Sequence, residues 1–579
     1  MTSNGLRSVF LAAATSLMIL LTPALAGLPA IYDRIPAQAT LVITTKNLDE
    51  VDAAVSKLFG SLELPALATP SELLSRIGLG QNVDMTRPLA LALMPGDLNG
   101  DNPPAVIFLP TTGFGDLMDS LNAHADGDLF TFTIETGETL YARSAQGGYA
   151  IIGPIREIVA AIDGKGGNLK SHEAQIGEVG DEMVNAGHLV AFVKKPLLSL
   201  FQTAIEEKVD EGVAEAAGFG AGGKQGELEA QAKAAGDLVK SLFRDARDLV
   251  LSIKAGALGL STELAMDFEP DSQFGAMFQS AGDSSKLLAA LPNQPFLFAY
   301  AGDFSTPAGK DGLGQIVQGN QRLLLGDAAA GATDKLVGLI DGMSGAIYTS
   351  PGGLMGGLVA NSVTYLASSD PKGLQNEIHS FVDSIGKNDF AAASYQPNAS
   401  EVDGVSVDGW SVTLGDQAAG MGGVQQATSM LFGPGGLGGY FVPTDGGLYQ
   451  TLSRNNQLVS AALAAKKGQN SLIDFRALSM VAKSLPENRT AEAYIGVESI
   501  LKQGLQITAM FGMPMQIDLP DQLPPVGFAI TTDRSAGRFA VFVPAPVLKT
   551  SVQVATQAQA MFGGNDDLDN NKGKDAPPF

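Results

Sequence analysis

Apolar and polar positions along this chain follow two periods. Short stretches alternate with period two, which predicts strands, and stretches with period near 3.6 predict amphipathic helices between some of them. Residues 41–44 form the first predicted strand. Asn47, with Glu50 three residues later, predicts a capped helix start, and that helix would present one apolar face made of Leu48, Val51, Val55 and Leu58.

Predicted hairpins outnumber strand–helix–strand crossover units in the remainder of the chain. Hairpin-rich chains with interspersed helices are typical of the α+β class, in which helices cover part of an antiparallel sheet. We therefore expect an α+β fold.

The chain also contains an internal repeat. Four segments of the first half recur in the same order in the second half, each pair sharing its pattern of strand, turn and helix. The matched pairs are 35–51 with 291–307, 104–122 with 361–382, 147–168 with 446–470, and 248–270 with 525–544. The sequence thus predicts two tandem divergent copies, each an antiparallel sheet partly covered by helices.

The spacing of these matches predicts the domain boundaries. The first copy is expected at 27–280, with a helical hairpin inserted at 196–248 around a glycine-rich turn, and the second copy at 281–562, with a Gly/Met-rich insert at 416–440. Residues 563–579 are polar and acidic, which predicts a disordered tail.

Residues 1–26 have the pattern of a signal peptide. Arg7 precedes an uncharged apolar stretch too short to span a bilayer comfortably, and small residues end it at Ala26. Later in the chain, the charge-free stretch 342–369 contains Pro351 and a Gly-Gly pair, which indicate a turn between strands rather than a membrane span. We expect export to the periplasm or exterior, cleavage after Ala26, and no transmembrane span in the mature chain.

The charge and composition of the chain limit the classes of molecule that it is expected to bind. The chain has 37 basic and 61 acidic residues, a formal net charge of −24 and no cysteine. Such a surface lacks the positive field that nucleic acids require, and the lack of cysteine excludes disulfides and thiolate metal sites. A hydrophobic content of 45% with 17% charged residues indicates a folded chain.

One loop carries the spacing of a calcium site. Asp97, Asn99 and Asp101 place oxygen ligands on alternate residues around Gly100. The position where an EF-hand loop needs a bidentate glutamate is Phe108, however, and a plain hairpin turn is also expected here. Calcium is the cofactor that the sequence suggests; otherwise none is expected.

Other catalytic motifs are incomplete. Ser499 and Lys502 have the S-x-x-K spacing of a serine nucleophile and its base, but the companion motifs of that class do not follow them. The histidines do not form a metal-binding pair, and the glycines do not form a phosphate loop. Ala-Met-Phe recurs at 276–278, 509–511 and 560–562, which allows a groove for an apolar ligand or partner chain as well as ordinary core packing.

The start of the predicted mature chain resembles exported bacterial proteins grouped as a domain of unknown function. The resemblance rests on Pro36, the strand 41–44 and the Asn-Leu-Asp helix start at 47–49. It implies export and a duplicated α+β unit, and no activity.

Three functions are consistent with the sequence. The first is an exported non-enzymatic envelope or periplasmic scaffold, binding an unknown protein, polymer or apolar ligand. The alternatives are a hydrolase with a site between the two copies and a calcium-stabilised structural protein. A cleft with paired carboxylates or a His–Asp contact would favour the hydrolase, and a dry apolar channel would favour a carrier.

The signal peptide gives the first testable prediction. Expressed in a bacterium with an intact export pathway, the mature protein should begin at Gly27, which intact-mass measurement and N-terminal sequencing would establish. As a control, Ala24→Glu with Ala26→Glu should block processing, because signal peptidase requires small residues there. Recovery of the unprocessed chain from the wild-type gene would contradict the prediction.

Overall fold

The first strand and helix follow from residues 41–62. β1 (Leu41–Thr45) alternates buried and half-buried side chains, and α1 (Leu48–Leu62) begins directly after it. The backbone N–H of Glu50 donates to the Asn47 side chain at 2.6 Å, so Asn47 caps the helix as predicted. The buried face of α1 matches the predicted face except that Ala54 is buried and Val55 is only half-buried.

This computed structural model describes residues 27–562, except 65–68, 77, 98–102, 135–136, 219–232, 234–235, 238, 315–329, 351–355, 386–390, 416–421, 434, 511–518 and 521. The predicted signal peptide and acidic tail therefore lie outside the described residues. Two compact units divide the chain. The first contains the described residues up to Asp52, those in Ala68–Lys194, and Val250–Ser252; the second contains the others.

The first unit is built on an antiparallel sheet with strand order β8–β1–β2–β3–β7–β6–β5–β4. Leu48 and Leu117 pack with Leu109 and Ile152 on one face of this sheet. Besides β1, its strands are β2 (Ala90–Leu93), β3 (Ala105–Pro110), β4 (His124–Asp126), β5 (Leu129–Thr133), β6 (Thr139–Ala145), β7 (Tyr149–Gly153) and β8 (Leu189–Lys194). Its helices, besides the start of α1, are the 3-10 turn Ala30–Asp33, α2 (Pro70–Arg76), α3 (Phe114–Ser120), α4 (Arg156–Ala161) and α5 (Leu169–Ala186).

The second unit has a longer sheet, with strand order β10–β20–β19–β18–β11–β12–β13–β17–β16–β15–β14. Each of these pairs is antiparallel. Its strands are β10 (Gly259–Phe268), β11 (Phe296–Asp303), β12 (Gly342–Tyr348), β13 (Ser362–Ala367), β14 (Ala391–Val402), β15 (Val405–Leu414), β16 (Leu437–Thr444), β17 (Gly447–Thr451), β18 (Ala491–Ile495), β19 (Val526–Asp533) and β20 (Ala536–Pro544). β9 (Ala246–Gly256) precedes β10 in the chain.

Helices of the second unit lie between these strands. They are α6 (Lys195–Gly218), α7 (Gln273–Met277), α8 (Ala330–Gly338), α9 (Pro371–Ile385), α10 (Gly422–Phe432), α11 (Asn456–Lys466), α12 (Arg476–Ala482), α13 (Val497–Met510) and α14 (Ala545–Phe562), with 3-10 turns at Leu288–Ala290 and Leu472–Asp474. The α+β class expected from the sequence is therefore confirmed. Within the described ranges, no helix is both long and apolar enough to cross a membrane.

The two faces of the second sheet are covered differently. We call the face covered by α11 and α12 the inner face; Leu458 and Leu478 of these helices pack there with strand residues such as Tyr449 and Tyr494. The opposite, outer face is covered by α8 and α9 over β13, β17, β16 and β15, where Leu374 and Ile378 pack against Leu448 and Phe441. The charge-free stretch 342–369 contributes β12 and β13, as the strand interpretation predicted.

The two strand orders share a pattern. The order β8–β1–β2–β3–β7–β6–β5–β4 of the first unit recurs in the second as β18–β11–β12–β13–β17–β16–β15–β14. Where β5 and β6 are joined by residues 134–138, β15 and β16 are joined by 415–436, which include α10. The Gly/Met-rich insert predicted at 416–440 thus contains a helix and the start of β16.

The helical insert predicted at 196–248 begins with α6, and the chain is helical again at 239–245 before β9. Lys240 Nζ lies 2.6 Å from Asp210 Oδ1, an ion pair between these two helical stretches. The strand β9 begins at Ala246, two residues earlier than the sequence predicted.

Tyr449 ties the inner-face helices to the sheet and gives a stability prediction. Its hydroxyl lies 2.7 Å from the carbonyl of Ala290 and 3.1 Å from that of Ala462. Tyr449→Phe should lower the free energy of unfolding by about 1 kcal/mol, because a buried hydrogen bond is lost. Tyr440→Phe is the matched control, since no hydrogen bond of the described chain uses the Tyr440 hydroxyl. Equal denaturation midpoints for Tyr449→Phe and wild type would contradict this.

Candidate functional site

A concave apolar surface lies on the part of the outer face that the described helices do not cover, and we call it the apolar trough. Its volume is about 460 Å³. Ile530 and Phe539 remain 41% and 43% exposed there, although both are large and apolar. Its lining residues are Phe298, Tyr300, Ala301, Gly302, Phe304, Met343, Ala491, Glu492, Ala493, Ile495, Phe528, Ala529, Ile530 and Phe539.

The strand registers explain why the surface is concave. β18 is the floor, because its outward residues near the centre are alanines: Ala493 lies opposite Tyr300 of β11 on one side and Phe528 of β19 on the other. Large side chains on these flanking strands form the walls. The rings of Phe298 and Tyr300 are stacked at 5.8 Å, and those of Phe528 and Phe539 lie 6.4 Å apart.

A β-bulge directs the aromatic wall of β11 outward. The pairing with β12 shifts register between Phe296 and Phe298, so an extra residue, Leu297, separates them. Two residues apart in a regular strand would share a face, but the bulge reverses this. Phe296 is buried and packs in the inner-face core, whereas Phe298 lines the trough.

A glycine makes room for the second wall residue. Gly345 of β12 is paired with Tyr300, and a Cβ at Gly345 would lie 2.6 Å from the Tyr300 hydroxyl oxygen. Because Gly345 has no Cβ, the Tyr300 ring can lie across β12 at this position. Burial raises the pKa of the Tyr300 hydroxyl, and a hydrogen bond to Thr364 acts in the opposite direction.

The trough has little polar chemistry. Glu492 is the one charged residue among its described lining residues, and its side chain is only 3% exposed, beneath the floor. Its carboxylate accepts from Arg489 Nε at 2.8 Å, the Tyr494 hydroxyl at 2.6 Å and Ser284 at 3.3 Å. The Glu492 carboxylate is thus paired within the protein and is not available to a ligand. The trough surface above it offers only apolar contacts.

Comparison with known proteins does not assign this chain to a family. No protein-family model and no curated protein matches the chain. A solved structure described as "Structure of crystal form III of TP0453" is 9% identical, over 42% of this chain and 79% of that chain, with a TM-score of 0.18. That similarity is too low to support an argument about fold or function.

A second cavity of about 510 Å³ lies beside α13, and we call it the amide-lined cleft. Its lining residues are Asn293, Gln294, Pro295, Phe296, Thr349, Ser350, Phe475, Gly496, Glu498, Ser499, Lys502, Gln503, Gln506, Gln522, Leu523 and Pro525. The S-x-x-K pair of Ser499 and Lys502 falls here. Lys502 Nζ, however, is ion-paired with Glu498 one turn earlier on α13, and an ion-paired ammonium is a poor base for Ser499.

The calcium prediction depends on Asp97, Asn99 and Asp101. Asp97 lies in the connection between β2 and β3, where either a turn or a calcium loop was expected. Asn99 and Asp101 lie outside the described residues, so the calcium site stays a prediction. Elsewhere in the part of the chain that the structure describes, no group of three or more His, Asp or Glu side chains could hold a metal ion.

The histidines lie apart from both cavities. His379 forms a His–Asp contact, with Nε2 3.3 Å from Asp383 Oδ2 on the same helix, and its ring stacks on Tyr395 at 4.2 Å. The side chains of His379 and Asp383 are 45% and 65% exposed. His172 is fully buried, its Nε2 lies 2.9 Å from the Ile35 carbonyl, and burial lowers its pKa to about 4. Neither arrangement provides a nucleophile for a histidine base.

The predicted Met/Phe groove is not built from the Ala-Met-Phe segments as far as they are described. Phe278 packs instead against Phe268 and Phe274, at ring distances of 5.4 and 5.9 Å, in the core beside β10. The side chains of Phe511 and of residues 560–562 lie outside the described set. The trough was missed because its signal is different: β11, β18, β19 and β20 carry apolar residues on both faces.

A buried acid pair is the remaining candidate for carboxylate chemistry. Burial raises the pKa of Asp248 in β9 to about 8, with a further contribution from the charge of Asp267 and an opposing one from Arg247. Burial also raises the pKa of Asp267, whose carboxylate lies 3.9 Å from Arg247. Because neither acid lines the trough or the amide-lined cleft, the pair is a feature of stability.

This pair predicts a pH dependence. Between the unfolded pKa of Asp248, 3.8, and the folded value of about 8, the folded protein binds more protons than the unfolded chain. The free energy of unfolding should therefore fall as pH rises through this window and level off above it. Asp248→Asn removes the titration, so its Tm minus that of wild type should be greater at pH 8.5 than at pH 5.

The control is Asp271→Asn, on an exposed residue after β10, which removes one negative charge without changing a buried group. A difference in Tm between Asp248→Asn and wild type that is the same at both pH values would contradict the assignment.

Proposed function

We propose that this chain is an exported, non-enzymatic binding protein whose apolar trough takes up an apolar ligand. The observation that carries the proposal is the partial cover of the outer face. Helices bury its apolar residues over β13–β17–β16–β15, yet over β11, β18, β19 and β20 comparable residues stay open. A concave apolar surface of several hundred Å³ is typical of a small-ligand site.

The lining indicates the chemistry of the ligand. β11, β18 and β19 are each paired on both sides, so their backbone groups are already bonded and cannot bind an added strand. The one acid is held beneath the floor. The trough therefore recognises an uncharged hydrocarbon portion, such as an acyl chain, by contact with alanines below and aromatic rings on both sides.

Export is part of the proposal and rests on residues 1–26. A ligand with a hydrocarbon portion and an acidic binding protein are both compatible with the periplasm or the exterior, where an exported carrier would meet lipids of the envelope.

Duplication explains the arrangement of the strands. We infer two divergent copies, because the pairing order of β1–β8 recurs in β11–β18 and three of the four matched sequence pairs fall on equivalent strands of the two orders. The fourth pair falls on the hairpins β9–β10 and β19–β20, which follow the two orders in the chain. The helical hairpin insert of the first copy is supported by the ion pair of Lys240 with Asp210.

A neutral fluorescent probe tests the trough. N-phenyl-1-naphthylamine should bind the wild-type protein with increased fluorescence, and dodecanol should displace it. Ala493→Phe, which fills the floor, should weaken probe binding about tenfold or more, a loss of about 1.4 kcal/mol. Phe539→Asn should also weaken binding, because it makes one wall polar.

Met480→Asn is the matched control for Phe539→Asn. Met480 is also about 40% exposed, on α12, and does not line the trough. Circular dichroism would verify that each variant is folded. Unchanged probe affinity in both trough variants, or failure of dodecanol to compete with the probe, would refute the apolar-ligand function.

A further inference from the structure

The helix α13 directs several polar side chains into the amide-lined cleft. α13 presents Ser499, Gln503 and Gln506, which lie at i, i+4 and i+7 and thus on one face, into the cleft. Meanwhile Ile500 of the same helix is 46% exposed. A helix that serves packing alone would bury its apolar residues and expose its polar ones. Departures from this pattern of buried apolar and exposed polar residues are typical of functional sites.

Two residues of this stripe are largely buried, and their polar groups make no hydrogen bond to the described part of the protein. Gln503 is 9% exposed and Ser499 is 8% exposed. Across the residues that the structure describes, no side-chain hydrogen bond involves the Gln503 carboxamide or the Ser499 hydroxyl, although both line the cavity. Both groups open into the cavity instead, where they are free to donate and accept hydrogen bonds with a bound ligand.

The charges of the cleft cancel. Glu498 and Lys502 form an ion pair at its margin, and the remaining polar lining consists of carboxamides and hydroxyls. Each carboxamide both donates and accepts. The site therefore has no preference for an anion or a cation and matches a neutral ligand with many hydroxyl groups.

The strands beside the cleft disfavour an extended peptide. β11, β12 and β18 are paired on both edges, so a peptide would find no free strand edge to pair with. Instead the cleft has an aromatic side: Phe475 is half-buried and packs edge-to-face on Phe296, with ring centroids 6.4 Å apart. An apolar ring beside hydrogen-bonding amides suits the two faces of a sugar ring.

We propose that the amide-lined cleft binds a neutral saccharide of one or two rings. Gln503, Gln506 and Ser499 hydrogen-bond its hydroxyl groups, and Phe475 packs against a ring face. A volume of about 510 Å³ accommodates a ligand of this size. The inference is independent of the apolar trough, which shares no lining residue with this cleft.

The first test asks whether Gln503 is a ligand-binding or a structural glutamine. Gln503→Leu keeps the volume and removes an unpartnered amide, so the Tm of the ligand-free protein should equal or exceed that of wild type. Gln375→Leu is the matched comparison, because the Gln375 amide donates to Asp408 at 2.7 Å and its loss should lower the Tm. A fall in Tm for Gln503→Leu as large as that for Gln375→Leu would overturn the proposal.

The second test measures binding by isothermal titration calorimetry on the full chain. The probes are maltose and N,N′-diacetylchitobiose, with tetra-alanine as a neutral peptide. At least one saccharide should bind, and Gln503→Leu combined with Gln506→Leu should weaken it tenfold or more. The exposed Gln457→Leu on α11, away from the cleft, should leave its affinity unchanged. Binding of neither saccharide, binding of tetra-alanine alone, or equal affinity in the double variant would overturn the assignment.

Discussion

An antiparallel sheet has two faces, and each apolar side chain on either face must be covered by protein or left for something else to cover. In the second unit this constraint organises the rest of the structure. On the inner face, residues of β11 to β20 pack with α11, α12 and two 3-10 turns. Among the described residues, α8 and α9 cover only part of the width of the outer face, although its strands stay apolar beyond them. Phe304 and Met343 mark this boundary, since they pack at the edge of the helix-covered core and also line the trough.

The floor of the trough depends on polar groups beneath it. Tyr494 and Glu492 point inward from the same strand whose alanines point outward, and Arg489 joins them through its ion pair with Glu492. Burying a carboxylate is costly unless it is paired and hydrogen-bonded, and here it is both. Burial, together with the neighbouring Glu492 charge, holds the pKa of Tyr494 far above its usual range, so its hydroxyl stays a donor. The network fixes β18 from below, which keeps the floor in place.

The local structure of this chain is easier to predict from its sequence than its cavities are. The cap at Asn47 and the strand at 41–44 were predictable because their signals are local: a capping side chain and an alternating run. The trough was not predictable, because its walls come from residues more than two hundred positions apart in the chain, joined only by strand pairing. Ser499 and Lys502 were noticed, but as a catalytic motif, and the spacing gave no sign that Glu498 neutralises the lysine.

The single extra residue at Leu297 has a wider consequence for how this chain can change. In a regular strand, side chains at alternate positions point to the same face of the sheet. The residues that line one face therefore fix which positions line the other. The bulge shifts this alternation by one residue and divides β11 into two short segments that line different cavities. Phe296 lies in the core and lines the cleft, and Phe298 lines the trough. A substitution at Phe296 can therefore change the cleft, and one at Phe298 the trough, without affecting the other cavity, although the two residues are only two positions apart.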